Sequence, residues 1–463
     1  MTGNIDEKNA FTDNKLDNKK KSEEILDKPI DTPKLPVDKQ VQTAFFEDSS
    51  KLKTSNKGKS QQLGKKNWKN KKDNVAETEI IAPSDKNTVP NGYKLEYRMK
   101  RLLFFMGYYT RIGIDILTHS DESADKITDL DVYGIYIHKD FTSKTTWVDC
   151  KSGGVEIHKR ISWIKGIMVD FEINDMIFVA GGARTSVKQY ARKSGIQILD
   201  LSIIEKLEKD FGVVSENWKG SWNPQTQFNK INNLSKLNLP NEQVNKKIAK
   251  FISSDYWILD NYTKSKRTIT ALRELSTTLE NPLSNDQTDI VKWGIYELVT
   301  LFLLSIFNIS KEIYYFSDSE KKETIQEGLT SSDISNKRRS EMFETAFKVA
   351  YGMVKNQYPD IILPQKMPSF NMTPPSYFES YYDLVLRVTS NPLYYYDLLR
   401  FLDYVLMEYD LQSKDIEIED LTSIFNNYSE ILIGAKTFLN FICHITNIPR
   451  SYFKLLTLQI PGS

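Results

Sequence analysis

Between residues 93 and 200 the hydrophobic period switches repeatedly, and that switching narrows the folds open to the chain. In YKLEYRMKRLLFFMGYY, residues Leu95, Met99, Leu102, Leu103 and Met106 recur at helical spacing. RIGIDIL then alternates, with Ile112, Ile114 and Ile116 on one face. DVYGIYIH alternates as well, and TTWVDCK reads as a third strand. ISWIKGIMVDF returns to a helical period through Ile161, Ile164, Ile167, Met168 and Phe171. DMIFVAGG is a buried strand with a glycine stop, SVKQYARKSG a short helix closed by Gly195, and IQILD a last short strand. The order helix, three strands, helix, strand, helix, strand predicts one α/β domain over residues 89–212, a mixed central sheet flanked by helices.

On either side the texture differs. Residues 1–88 are rich in Lys, Asp, Asn, Ser and Thr, with too little apolar surface to offset the entropy of ordering, and are expected to be a disordered, Lys-rich tail. Residues 1–50 hold eight Lys against eleven acids, whereas residues 51–72 hold nine Lys and no acid. Lys65, Lys66, Trp68 and Lys69 in that second stretch suit a phosphate backbone and a stacked base. A solvated, self-repelling tail has the same composition. Residues 213–245 show no clear period and read as a linker. Residues 246–463 read as an all-α domain, through segments such as TITALRELSTTL, IVKWGIYELVTLFLLSIF and ILIGAKTFLNFICHI.

Two cysteines, Cys150 and Cys443, exclude a disulfide framework and a four-thiolate zinc site, and the four histidines show no metal-ligand spacing. With no apolar secretory segment at the N-terminus, the expected setting is a reducing cytoplasm. The most apolar stretches, 293–309 and 431–448, are interrupted by Glu297 and by Lys436 and Asn440, so both read as buried helices with no membrane span.

Charges punctuate the second and third strands. ITDLDVYGI brings Asp129 and Asp131 straight into an apolar strand, where Asp131 shares a face with Tyr133, Ile135 and Ile137. In TTWVDCK, Asp149 and Lys151 share a face at the strand's end. Consecutive strands usually pair, about 4.8 Å apart, so Asp131 and Asp149 are expected to converge at one sheet edge. Two carboxylates that close repel unless a cation lies between them, and a hard divalent ion with oxygen ligands is the natural occupant: Mg2+, with Mn2+ as the alternative. Glu96 stands at the margin of the apolar stripe of the first helix, where it could face the same ion; a solvent-facing glutamate would look the same in sequence.

A helix with a glutamate, an acid opening a strand, and an acid-x-Lys closing the next strand resembles the PD-(D/E)XK nuclease superfamily, over residues 90–212. The resemblance implies that Asp131 is the motif's first acid, Asp149 and Lys151 its paired acid and lysine, and Glu96 the helical glutamate. It further implies a Mg2+-dependent endonuclease in which Asp131, Asp149 and Glu96 hold the metal, with DNA the favoured substrate and prokaryotic defence or DNA processing the setting. The motif's proline is absent, Asp149 stands where Glu is more frequent, and residues 140–144 lengthen a hairpin loop. Lys188 and Arg192, with Arg160 and other basic residues of this half of the domain, suit phosphate contacts. The helical domain would bind a protein partner or regulate access, and enzymes of this kind often pair into homo-oligomers to cut two strands. An Asp-x-Lys triplet alone occurs by chance in many proteins, so a non-catalytic scaffold that keeps the fold to bind nucleic acid or protein is the alternative.

Overall fold

The computed structural model describes residues 91–119, 124–151, 156–213, 220–331, 336–359 and 373–459. The tail reading, with Lys65, Lys66, Trp68 and Lys69, lies outside these residues.

Helix α1 (Asn91–Phe105) leads into strands β1 (Tyr109–Leu117), β2 (Lys126–Ile137) and β3 (Ser143–Cys150). Helix α2 (Ile157–Asp170), strand β4 (Asp175–Val179), helix α3 (Thr185–Arg192), strand β5 (Ile196–Leu199) and helix α4 (Leu201–Asp210) follow. The five strands lie in chain order, β1 to β3 antiparallel and β3 to β5 parallel. The two crossovers, through α2 and α3, account for the change: a parallel neighbour needs a connection long enough to return the chain, which a helix supplies. On one face Leu95, Met99, Leu102 and Leu103 of α1 pack with Val132, Val148, Cys150 and Val179. On the other, Ile161, Ile164 and Ile167 of α2 pack with Trp147, Phe178 and Ile198. The expected mixed sheet between helices is therefore present.

Alternation breaks at one place in the first two strands. Ile112 and Val132 belong to the α1 layer, whereas Ile114 and Leu130, two residues along and paired with each other, belong to the α2 layer. Strict alternation would keep residues two apart on the same face. The exchange occurs at Gly113 (φ +63°), a backbone conformation that suits glycine, and at Asp131 on the neighbouring strand.

The helical part runs from α5 (Pro224–Ser235) and α6 (Glu242–Lys250) through a π turn (Phe251–Asp255) and α7 (Tyr256–Ile258) to α8 (Asn261–Thr278) and α9 (Asn285–Ile313). Then come α10 (Asp318–Thr330), α11 (Asn336–Gln357), α12 (Phe378–Ser390), α13 (Pro392–Tyr395) and α14 (Leu398–Tyr404). A second π turn (Val405–Asp410), α15 (Ile418–Ile424), α16 (Tyr428–Thr446) and two short 3-10 turns (Arg450–Tyr452 and Lys454–Thr457) follow. Helix α9 starts at a capping box between Ser284 and Gln287. It is long and apolar enough to cross a membrane by composition, with a mean hydropathy of 1.7 over its most apolar window, yet 89% of that window is buried inside the protein. It is a core helix.

The segment 213–245, read from sequence as a linker, is a correction: it contains α5 and the start of α6. Its helix signals are the Asn223 side chain, which accepts from the Thr226 amide, and Pro224 in the first turn. Trp222 is fully buried, 4.6 Å from the ring of Phe104 on α1 and stacked at 5.2 Å on Tyr404 of α14. A segment whose few buried residues serve distant partners carries no local period.

Sheet and helices share more than that ring. Arg111 of β1 and Glu297 of α9 form a buried ion pair, and Gln227 Nε2 of α5 donates to the same carboxylate at 3.0 Å. Lys100 of α1 donates to the Ser221 carbonyl, Arg400 of α14 to the Phe104 carbonyl at 3.1 Å, and Phe141 packs on Phe307 at 5.2 Å. Replacing Glu297 with alanine strands the Arg111 guanidinium in a dry interior. The variant is expected to lose about 3–5 kcal/mol of stability. Urea denaturation followed by tryptophan fluorescence and far-UV dichroism measures the loss; a change under about 1 kcal/mol would mean that the pair does not join the two parts.

Candidate active site

The β2–β3 pairing runs inward from Ile137↔Ser143 and ends at Val132↔Val148. Beyond that pair a side chain takes over from the backbone: Asp131 Oδ2 accepts from the Cys150 amide at 2.7 Å. The end of β3 is held from its other side as well, since the Lys151 amide donates to the Val179 carbonyl of β4 at 3.1 Å. Both neighbours thus fix the strand terminus that carries Asp149 and Lys151.

Lys151 joins the two aspartates. Its Nζ lies 3.2 Å from Asp131 Oδ2 and 3.0 Å from Asp149 Oδ1. Asp149 is completely buried, and its carboxylate is also gripped from α2, where Arg160 Nε donates to Oδ2 and Nη2 to Oδ1, each at 2.7 Å. The Arg160 guanidinium lies 3.8 Å from the centre of the Trp163 ring, which packs at 5.7 Å on Trp147 of β3. A planar fork against a carboxylate, stacked on an indole, is a rigid arrangement.

Glu96, on α1, completes the group. Burial pushes its carboxyl up to about 8, and the negative charges of Asp131, Asp129 and Asp149 add to the rise while Lys151 opposes it. Asp131 is raised to about 6, first by burial and then by Asp149, against the pull of Lys151 and the Cys150 amide. Burial alone would lower the Lys151 ammonium, but Asp131 and Asp149 more than offset it and raise it.

Asp131, Asp149, Lys151 and Glu96 are therefore brought to one end of the sheet. Asp129 is exposed and stands across from Asp115 of β1, away from the Lys151 bridge. Lys188 is ion-paired with Asp200, just past β5, and Arg192 is exposed on α3. Arg160 is the residue that sequence reasoning left among the general basic count. The available signal was its place in the first turn of α2, where the helix dipole disfavours a cation unless an acid holds it there.

The donors suit a hard divalent cation. All are carboxylate oxygens, and the acids around Glu96 add to the burial that forces it toward its neutral form, a repulsion that a cation would offset. Asp131, Asp149 and Glu96 would hold such an ion. Among the described residues, no group of three or more His, Cys, Asp or Glu side chains stands ready-made at ligating range. No protein-family model, curated protein or solved structure matches this chain.

The crowding has a measurable consequence. With its folded carboxyl near 8 and its ordinary value at 4.5, Glu96 keeps a proton on folding that the unfolded chain has lost between those values. Its contribution to stability is most favourable below 4.5, falls across the window and is lowest above 8. Glu96→Gln, neutral throughout, escapes that fall. The variant is expected to match the wild type at acidic pH and exceed it by on the order of 1–3 kcal/mol in alkaline buffer, allowing for solvent screening. Denaturant titrations across pH test this, and a gap that does not widen toward alkaline pH would contradict it.

Proposed function

We propose that the chain is a metal-dependent endonuclease that hydrolyses phosphodiester bonds of nucleic acid, DNA before RNA, in prokaryotic defence or DNA processing. The observation that carries this reading is the Lys151 ammonium held between Asp131 and Asp149 at a strand end, with Glu96 facing the same cluster. A Mg2+ or Mn2+ ion held by Asp131, Asp149 and Glu96 would supply a water of lowered pKa and a clamp on a phosphoryl oxygen. The chain's own contribution is orientation and charge. Lys151, kept protonated by its two aspartates, is placed to stabilise negative charge developing on the phosphoryl oxygens and is a poor proton acceptor. Arg160 fixes Asp149 in one rotamer, so that its direction does not depend on solvent. A reducing cytoplasm is the setting this reading adopts, and the unpaired thiols of Cys150 and Cys443 suit it.

One observation favours the scaffold alternative. Both oxygens of Asp149 are already satisfied by Arg160 and Lys151, and a closed ion-pair network of that kind is what a structural remnant of such a site would keep. Plasmid nicking in Mg2+ or Mn2+, with DNA binding measured in parallel, separates the two readings. Under the nuclease reading the wild type cuts, while Lys151→Ala and Asp131→Asn fall by about 10²–10³ with binding kept. Binding without cutting by any of the three proteins, in either metal, would leave the scaffold.

A further inference from the structure

Helix α11 differs from the rest of the helical part. Met342, Val349 and Met353 are 55%, 52% and 67% exposed, whereas α9 and α16 bury most of their large apolar residues. With Ala346 they follow one another at steps of four, three and four residues, which places all four on one stripe of the helix. The half-buried residues Phe347 and Tyr351 lie on the opposite face. The exposed stripe and the half-buried residues thus lie on opposite sides of the helix.

We infer that this stripe is a dimerisation surface, and that its occupant is α11 of a second copy of the same chain, packed antiparallel. The sequence of the stripe is self-complementary about a two-fold axis between Ala346 and Val349. That axis sets Met342 opposite Met353 of the second copy, and Ala346 opposite Val349, so large residues meet at the ends and a small one meets a branched one at the centre. A contact in which each residue finds its counterpart by symmetry closes on itself as a dimer.

Charge selects the direction. Glu341 and Lys355, both exposed, are fourteen residues apart, two heptads, and so lie on the same flank of the stripe. Antiparallel packing brings Glu341 of each copy to Lys355 of the other. The residues between that flank and the seam, Thr345 and Gly352, are small enough for the two long side chains to meet across them. Parallel packing would instead put this flank of the two copies on opposite sides of the seam, facing the uncharged flank of Phe343, Ala350 and Val354, so that neither Glu341 nor Lys355 finds a partner. Lys348, central on the same flank, follows Glu344 by four residues, a spacing at which the two charges offset each other within one helix. The stripe is only about 16 Å long at about 1.5 Å per residue, so the association is expected to be micromolar.

Sedimentation equilibrium of the full chain, from about 1 to 200 µM, tests the inference. A monomer–dimer equilibrium is expected, with a Kd on the order of 10 µM. Met353→Glu is expected to raise Kd at least about tenfold, by placing a charge on the apolar stripe. Glu341→Lys is expected to weaken association about three- to tenfold, and adding Lys355→Glu to that variant should return Kd to within about twofold of wild type. A chain that stays monomeric throughout the range overturns the inference, because the stripe is then bare or covered by the chain's own residues. A dimer indifferent to Met353→Glu, or a double reversal no better than the single one, overturns it equally.

Discussion

The arrangement of this molecule turns on where two strands stop pairing. β2 and β3 exchange backbone hydrogen bonds up to Val132 and Val148, and at the next position the Asp131 carboxylate accepts the Cys150 amide. An unpaired amide at a buried strand end is costly, and a carboxylate is the strongest acceptor a side chain can offer it. That one substitution of side chain for backbone places an acid among apolar residues, and the acid then needs a cation. Lys151 answers it, one residue past the amide that Asp131 accepts. Asp149, on the residue between Val148 and Cys150, becomes the second acid on the same ammonium.

Much of this was legible in the sequence, because it is local. The alternating runs of β1 to β3 and the helical period of α1 and α2 name residues that the core clusters hold. The reading that put Ile112 on one face with Ile114 and Ile116 fails, because the strand changes face at Gly113 and sends Ile112 to the α1 layer and the other two to the α2 layer. The convergence of Asp131 and Asp149 follows from strand pairing alone. Glu96 could be placed only at a margin, since helical spacing cannot distinguish a solvent-facing acid from one that faces a sheet end. Arg160 was not singled out because its partner is fixed by how α2 packs on the sheet, which spacing does not encode. The 213–245 segment was misread for the same reason: Trp222 is buried by Phe104 and Tyr404, which lie more than a hundred residues away on either side.

Burial sets the energetics of the site in opposite directions for its members. Glu96 and Asp131 are made less acidic, while Lys151 is held in its charged form. Glu96 in its charged form is unfavourable where it stands, because burial first and the neighbouring acids second oppose the charge. Arg160 works in the other direction, stiffening Asp149 with two hydrogen bonds and a stacked indole behind them.

Helix α1 links this cluster to the rest of the protein. Glu96 faces the acids near its N-terminal end, one turn later Lys100 reaches the Ser221 carbonyl, and one turn beyond that Phe104 is enclosed by Trp222, Tyr404 and Arg400. Residues four apart stack along one side of a helix, so these three contacts share a flank of a single rigid rod. Its C-terminal end is held by α14 and by the segment before α5, and its remaining apolar stripe is fixed on the sheet by Met99, Leu102 and Leu103. The distance between Glu96 and the aspartates is therefore set by two bodies at once, the sheet on which Asp131 and Asp149 lie and the helices that clasp Phe104. The buried ion pair of Arg111 with Glu297 ties the same sheet to the helical part at a second place, so that α1 is clasped between two parts that are themselves joined.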